Sequence, residues 1–157
     1  MFRYERPHVR WIDACAAYLR DVFGGAIEGK VFLDYAFGRG NWSLAARKAG
    51  AGKVIAVDAS ASNVRRFSEF CREENVSGIE IVHGNAMLEP LSVRGDILWN
   101  YGILHHIAEP VIFAKKIAGL RSDDNALALF YSYGRGSLRE AVVESARSGF
   151  VYENAQE

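Results

Sequence analysis

The sequence predicts an α/β protein built on a doubly wound, mainly parallel sheet, and three observations predict it. Short apolar runs alternate with amphipathic segments from Val31 to Tyr131. The runs are apolar throughout, as strands covered on both faces should be. Each run ends in polar or glycine residues that open the next segment, so the candidate functional residues gather at one end of the strands.

The elements follow in order. Apolar residues at Ile12, Cys15, Ala16, Leu19, Val22 and Phe23 mark one face of a helix over 8–23, stopped by Gly24-Gly25. This helix should lie over the ligand-side edge, where Arg3, Tyr4 or Trp11 could help to close a pocket, although packing explains it equally well. Val31-Phe32-Leu33 begins the first strand, and Asn41 to Ala49 reads as a helix stopped by Gly50. Lys53 to Val57 is a second strand. The helix after it buries Val64, Phe67, Phe70 and Cys71, with Ser60 or Ser62 as its cap. Ile79 to Val82 and Asp96 to Trp99 are the third and fourth strands. Pro110 then opens a helix whose buried face reads Val111, Ala114, Ile117 and Leu120. Ala126 to Tyr131 is the fifth strand, and a last amphipathic helix is expected over 137–147.

Composition narrows the function classes. At 157 residues the chain has the length of one domain, read as 1–157, without repeats, linkers or low-complexity segments. Nineteen basic residues balance nineteen acidic ones, so no global charge argues for nucleic acid or an anionic membrane. Cys15 and Cys71 lack metal or redox spacing and read as buried free thiols. Charges interrupt every apolar run near the N-terminus and no stretch reaches membrane-spanning length, so a cytoplasmic protein is expected, with no metal site.

The organising stretch is Asp34-Tyr35-Ala36-Phe37-Gly38-Arg39-Gly40. A strand that enters a helix through Gly-x-Gly brings backbone close to a ligand and aims unpaired N–H groups at it. A dinucleotide fingerprint wants Gly-x-Gly-x-x-Gly, and here its third position is Ser43. The segment instead resembles the Asp/Glu-x-Gly-x-Gly-x-Gly motif of class I S-adenosylmethionine-dependent methyltransferases at Asp34, Gly38 and Gly40, with Ala36 for the first glycine. A methyl group makes a left-handed backbone costly at Ala36, and the loop escapes that cost if φ stays negative.

A second segment, Asp96 to Pro110, is similar to the region around the fourth strand of small-molecule members of that family, with Leu104-His105-His106-Ile107 followed by Glu109-Pro110. Together the two likenesses span 31–131. They imply a Rossmann-like methyltransferase fold, S-adenosyl-L-methionine as cofactor and a small-molecule methyl acceptor as partner. The turn 122–125 departs from the family's usual Pro-Gly-Gly.

The resemblance places Asp34, Tyr35, Ala36, Phe37, Gly38 and Gly40 in the cofactor loop. Asp58, 18 residues after Gly40, also has the spacing of an acid that reaches a ribose. Ala59 is implied on the adenine face, Asn85 against the adenine amino group and the Ala86 N–H on a ring nitrogen. Asn100 and Tyr101 leave the fourth strand at the same end. Tyr35, Trp42 or Tyr101 could face a sulfonium through cation–π contact, with core packing as the alternative for each. His105 and His106 read either as a general base or as residues that pack and cap the turn. Asn100 joins them as a catalytic candidate, since Asn100-Tyr101 is similar to the ends of the Asn/Asp-Pro-Pro-Tyr motif of amino-group methyltransferases, both prolines missing.

Only 24 residues follow Tyr133, so the fold is expected to lack the last two strands of the family's sheet. Strand five would then need cover from the final helix, a further C-terminal region or an oligomer. A nicotinamide-dependent (NAD) oxidoreductase domain and a non-catalytic S-adenosylmethionine-binding or scaffold subunit stand as alternatives.

Overall fold

The computed structural model describes residues 7, 9–132 and 134. In order it holds α1 (Val9–Phe23), β1 (Val31–Tyr35), α2 (Asn41–Ala49), β2 (Lys53–Asp58), α3 (Ala61–Glu73), β3 (Ile79–His83), β4 (Ile97–Tyr101), α4 (Pro110–Ala118) and β5 (Leu127–Tyr131). All five strands are parallel, in the order β3-β2-β1-β4-β5. The chain therefore winds outward twice from β1, and strand order reverses between β1 and β4. Among the described residues β5 pairs with β4 alone. The expected helix over 137–147 and the pocket-closing Arg3 and Tyr4 lie outside the described residues.

Alternate residues of each strand serve opposite faces. Phe32, Val54, Ile97 and Trp99 pack with Cys15, Ala16 and Leu19 of α1 and with Ala45, Ala46 and Ala49 of α2. Phe67 and Cys71 of α3 join Phe37, Leu44 and Ala56 on that side. Leu33, Tyr35, Ile55, Val57 and Leu98 face the other way, onto Phe113 and Ile117 of α4. Complete burial of a side chain such as Phe67 contributes roughly 1.5–3 kcal/mol. The central strands β1, β2 and β4 are buried nearly throughout, whereas β3 and β5 are half-exposed, each having one neighbour among the described residues.

The first helix ends at Phe23, as Gly24-Gly25 predicts, and the chain continues into a separate 3₁₀ turn, Gly24–Ile27. That turn sends Ile27 into the core, and Val22, expected inside, is exposed. The expected buried face of α4 holds at Ile117 and Leu120 and differs in the first turn. Phe113, Ile117 and Leu120 are buried while Val111 is 66% exposed, because the larger Phe113 ring packs edge-on against Tyr35 at 5.5 Å. Trp11, proposed as a closing residue, is 63% exposed. Cys15 and Cys71 are buried free thiols, raised to about 11 chiefly by burial. Among the described residues no helix is long and apolar enough to cross a membrane.

Candidate functional site

The exits of β1, β2, β3 and β4 all lie at the carboxyl edge of the sheet, where strand order reverses. The β1 exit is hooked onto β2, because the N–H groups of Ala36 and Phe37 both donate to the Val57 carbonyl, at 2.7 and 3.3 Å. The chain then turns through Ala36, Gly38 and Gly40, all at positive φ. Ala36 lies at φ 65°, so the negative φ that would have spared it strain is not what the loop adopts. A left-handed alanine costs on the order of 1–2 kcal/mol, offset here by the two bonds to Val57.

The two glycines of the turn serve different ends. A Cβ on Gly40 would clash with the ring of Phe67, so Gly40 lets α2 and α3 pack. Among the described residues a Cβ on Gly38 would meet nothing within 4 Å. The Gly38 N–H donates to Asp58 Oδ2 at 2.9 Å. Oδ1 of the same carboxylate accepts from the Ser60 N–H at 2.8 Å and from Asn63 Nδ2 at 3.3 Å. Asp58 is thus fixed between the β1 turn and the first turn of α3, which Ser60 caps.

Beneath the turn, Asp34 is 2% exposed and accepts the Ser43 hydroxyl at 2.6 Å. Burial pushes its carboxyl up to about 7, with the Asp58 charge adding to the rise and the Ser43 hydrogen bond opposing it. Sequence reasoning saw Ser43 only as a missing glycine. Its place on the buried face of α2, one turn past Gly40, was the available signal.

Tyr35 joins three strand exits. Its phenol oxygen accepts the Ala86 N–H at 2.7 Å, and its carbonyl accepts from Asn100 Nδ2 at 3.1 Å. The Ala86 N–H, expected on a ligand's ring nitrogen, is here donated to Tyr35. Burial pushes the Tyr35 phenol up, opposed by the Ala86 bond. Asn85 Oδ1 accepts from the Met87 N–H at 3.0 Å and shapes the turn leaving β3. Ala59 is exposed beside Asp58, and its carbonyl lies 3.0 Å from His83 Nε2.

Phe37 is buried and its ring tilts against Phe67 at 5.1 Å, which leaves only its backbone for a ligand. Trp42 packs on Trp99 and Tyr101, each at 4.7 Å, and Tyr101 stacks on Tyr131 at 4.1 Å. His105 and His106 belong to a 3₁₀ turn, Leu104–His106, beyond β4, with their rings 4.0 Å apart. No group of metal-ligating side chains occurs among the described residues.

A parallel sheet in this order, with a glycine turn and an acid meeting at its switch point, defines the Rossmann-like class of nucleotide-binding folds. Within it the family is resolved: residues 32–121 match the methyltransferase domain, and the chain belongs to that family. Solved structures agree on the fold. Magnesium protoporphyrin IX methyltransferase from Synechocystis PCC 6803, with bound S-adenosylhomocysteine, superposes with a TM-score of 0.66 at 20% identity over 92% of this chain and 64% of that one. Coclaurine N-methyltransferase, bound to N-methylheliamine and S-adenosylhomocysteine, gives 0.59 at 19% identity over 69% and 33%. The [4+2]-cyclase SpnF gives 0.57 at 20% identity over 67% and 39%. The chain thus spans about a third to two thirds of the length of these structures.

Proposed function

We propose that this chain is the cofactor-binding part of a cytoplasmic S-adenosylmethionine-dependent methyltransferase that acts on a small-molecule acceptor. The observation that carries the reading is the 2.9 Å bond from the Gly38 N–H to Asp58. It joins the bare-backbone turn after β1 to the acid after β2, the two parts an adenosine with an amino-acid tail needs side by side.

The residues present suit that ligand. Asp58 is an acceptor-only carboxylate with lone-pair capacity beyond its three described bonds, matched to vicinal hydroxyls. Open space at Gly38 lets the ligand approach the backbone. Asn85 keeps a second lone pair on Oδ1 for an adenine amino group, and Ala59 offers an exposed methyl to the ring face. Asn100 Oδ1 is buried without a hydrogen-bond partner among the described residues, an acceptor that awaits a donor.

When bound, S-adenosylmethionine supplies a methyl group already activated by its sulfonium. The chain's own task is then positioning and the exclusion of water. Trp42 and Tyr101, their rings tilted against each other at the rims of α2 and β4, supply an aromatic wall there. In this reading His105 and His106 shape the turn beside the acceptor.

Calorimetry with S-adenosylmethionine, S-adenosylhomocysteine and NAD tests the cofactor. The first two should bind and NAD should not; the reverse order overturns the reading. Asp58→Ala should lose most of the affinity, and unchanged binding would remove the sugar assignment. A screen of small acceptors with labelled cofactor then tests transfer itself.

A further inference from the structure

The strand exits on the β5 side of the sheet carry rings in place of charges. Tyr101 and Tyr131 are the last residues of β4 and β5 and lie opposite each other in the register. Their rings stack at 4.1 Å with planes 6° apart. Trp42, in the first turn of α2, tilts against Tyr101 at 4.7 Å, and Trp99, earlier in β4, stacks on Tyr101 at 5.7 Å. Trp99 is completely buried, whereas Trp42, Tyr101 and Tyr131 are half-buried. These three form a rim of ring surface with Trp99 as its floor. Packing of ring on ring already fixes them, so a ligand that lies on them costs little side-chain freedom.

Strand order puts this rim on the side from which an acceptor approaches. β5 lies three strands from β2, so their exits are about 15 Å apart at ordinary strand spacing. With the sugar on Asp58 and the base toward β3, the side of the site left for the acceptor is that of β4 and β5. Segments 97–108 and 126–132, which contain both exits, hold no Asp, Glu, Lys or Arg. A charged acceptor finds no counter-ion there, and burying a charge without one is costly. A saturated apolar acceptor gains only from the area it buries. A flat ring gains in addition the offset-stacked or edge-to-face contact that aromatic pairs prefer.

We propose that the acceptor is an uncharged planar aromatic molecule held on the rim of Trp42, Tyr101 and Tyr131, and that Tyr131 sets this specificity. The proposal rests on the cofactor reading given above. By strand order Tyr131 is the ring farthest from Asp58, so it serves the acceptor and not the cofactor.

Calorimetry on protein saturated with S-adenosylhomocysteine tests this with two probes, 2-naphthol and decahydro-2-naphthol, which share a skeleton and a hydroxyl and differ in planarity. Wild-type protein should bind 2-naphthol about fivefold to tenfold more tightly. Tyr131→Leu should shrink that preference to within about twofold, and Tyr131→Phe should keep it. Neither variant should change the affinity for S-adenosylhomocysteine by more than about twofold. Wild-type protein that binds both probes equally, or neither, overturns the proposal whether or not Tyr131→Leu folds, and leaves the cofactor reading standing. Full preference in Tyr131→Leu overturns it too, as does a preference lost in Tyr131→Phe, where the ring is kept. Failure of S-adenosylhomocysteine itself to bind overturns the cofactor reading and this proposal together.

Discussion

The phenol oxygen of Tyr35 accepts the backbone N–H of Ala86 at 2.7 Å, and this bond ties the exit of β3 to the last residue of β1. Tyr35 is 4% exposed, so neither group can turn to water instead. Tyr35→Phe keeps the ring against Phe113 and strands the Ala86 N–H. The expected loss is about 1–3 kcal/mol, read as a lower urea midpoint with an unchanged slope. An unchanged midpoint would mean that the amide finds another partner.

Ala36 predicts the opposite sign. Its φ of 65° is one that glycine adopts without a steric penalty. Ala36→Gly should stabilise the fold by about 1 kcal/mol, less the extra entropy glycine loses on folding. Thermal unfolding of the two proteins under identical conditions checks the sign.

The glycines of the turn should separate stability from binding. Gly40→Ala drives a methyl group into the Phe67 ring and should cost on the order of 1–3 kcal/mol or more, because a packed aromatic ring has nowhere to go. Gly38→Ala meets open space and carries only the strain of φ 59°. It should unfold closer to wild type while losing affinity for S-adenosylhomocysteine. Equal destabilisation by both changes would contradict the packing difference.

Asp34 predicts a pH dependence. Burial raises its folded pKa from 3.8 to about 7, so between those values the folded chain holds a proton that the unfolded chain has released. Stability from this group is full below about pH 4 and declines as pH rises through 7. Asp34→Asn can still accept the Ser43 hydroxyl, and it should flatten that slope and exceed wild-type stability at pH 7. Denaturation midpoints measured from pH 5 to 8 decide it, and identical slopes in the two proteins would show that Asp34 stays ionised.

The alternation of apolar strands and helices, the parallel sheet and the polar strand exits were legible because hydrophobic period and turn chemistry are local properties. The pairing of Gly38 with Asp58 was approached through spacing, since a strand–helix–strand unit has a nearly constant length. The inward residue in the first turn of α4 was not legible. Val111 and Phe113 are both apolar, and only the sheet beneath decides which one turns inward.

By itself the sequence determined which segments are strands, which end of them is polar and to which family the turn and the histidine segment point. Tertiary structure alone decided that Ala36 is left-handed, that Ser43 serves Asp34, that Tyr35 takes the Ala86 N–H and that one oxygen of Asn100 has no donor among the described residues. The physical reason is distance along the chain. Tyr35 and Ala86 are 51 residues apart, and Tyr35 and Asn100 are 65 apart. Which buried polar atoms find partners depends on how strands meet, and residue type along the chain does not record that.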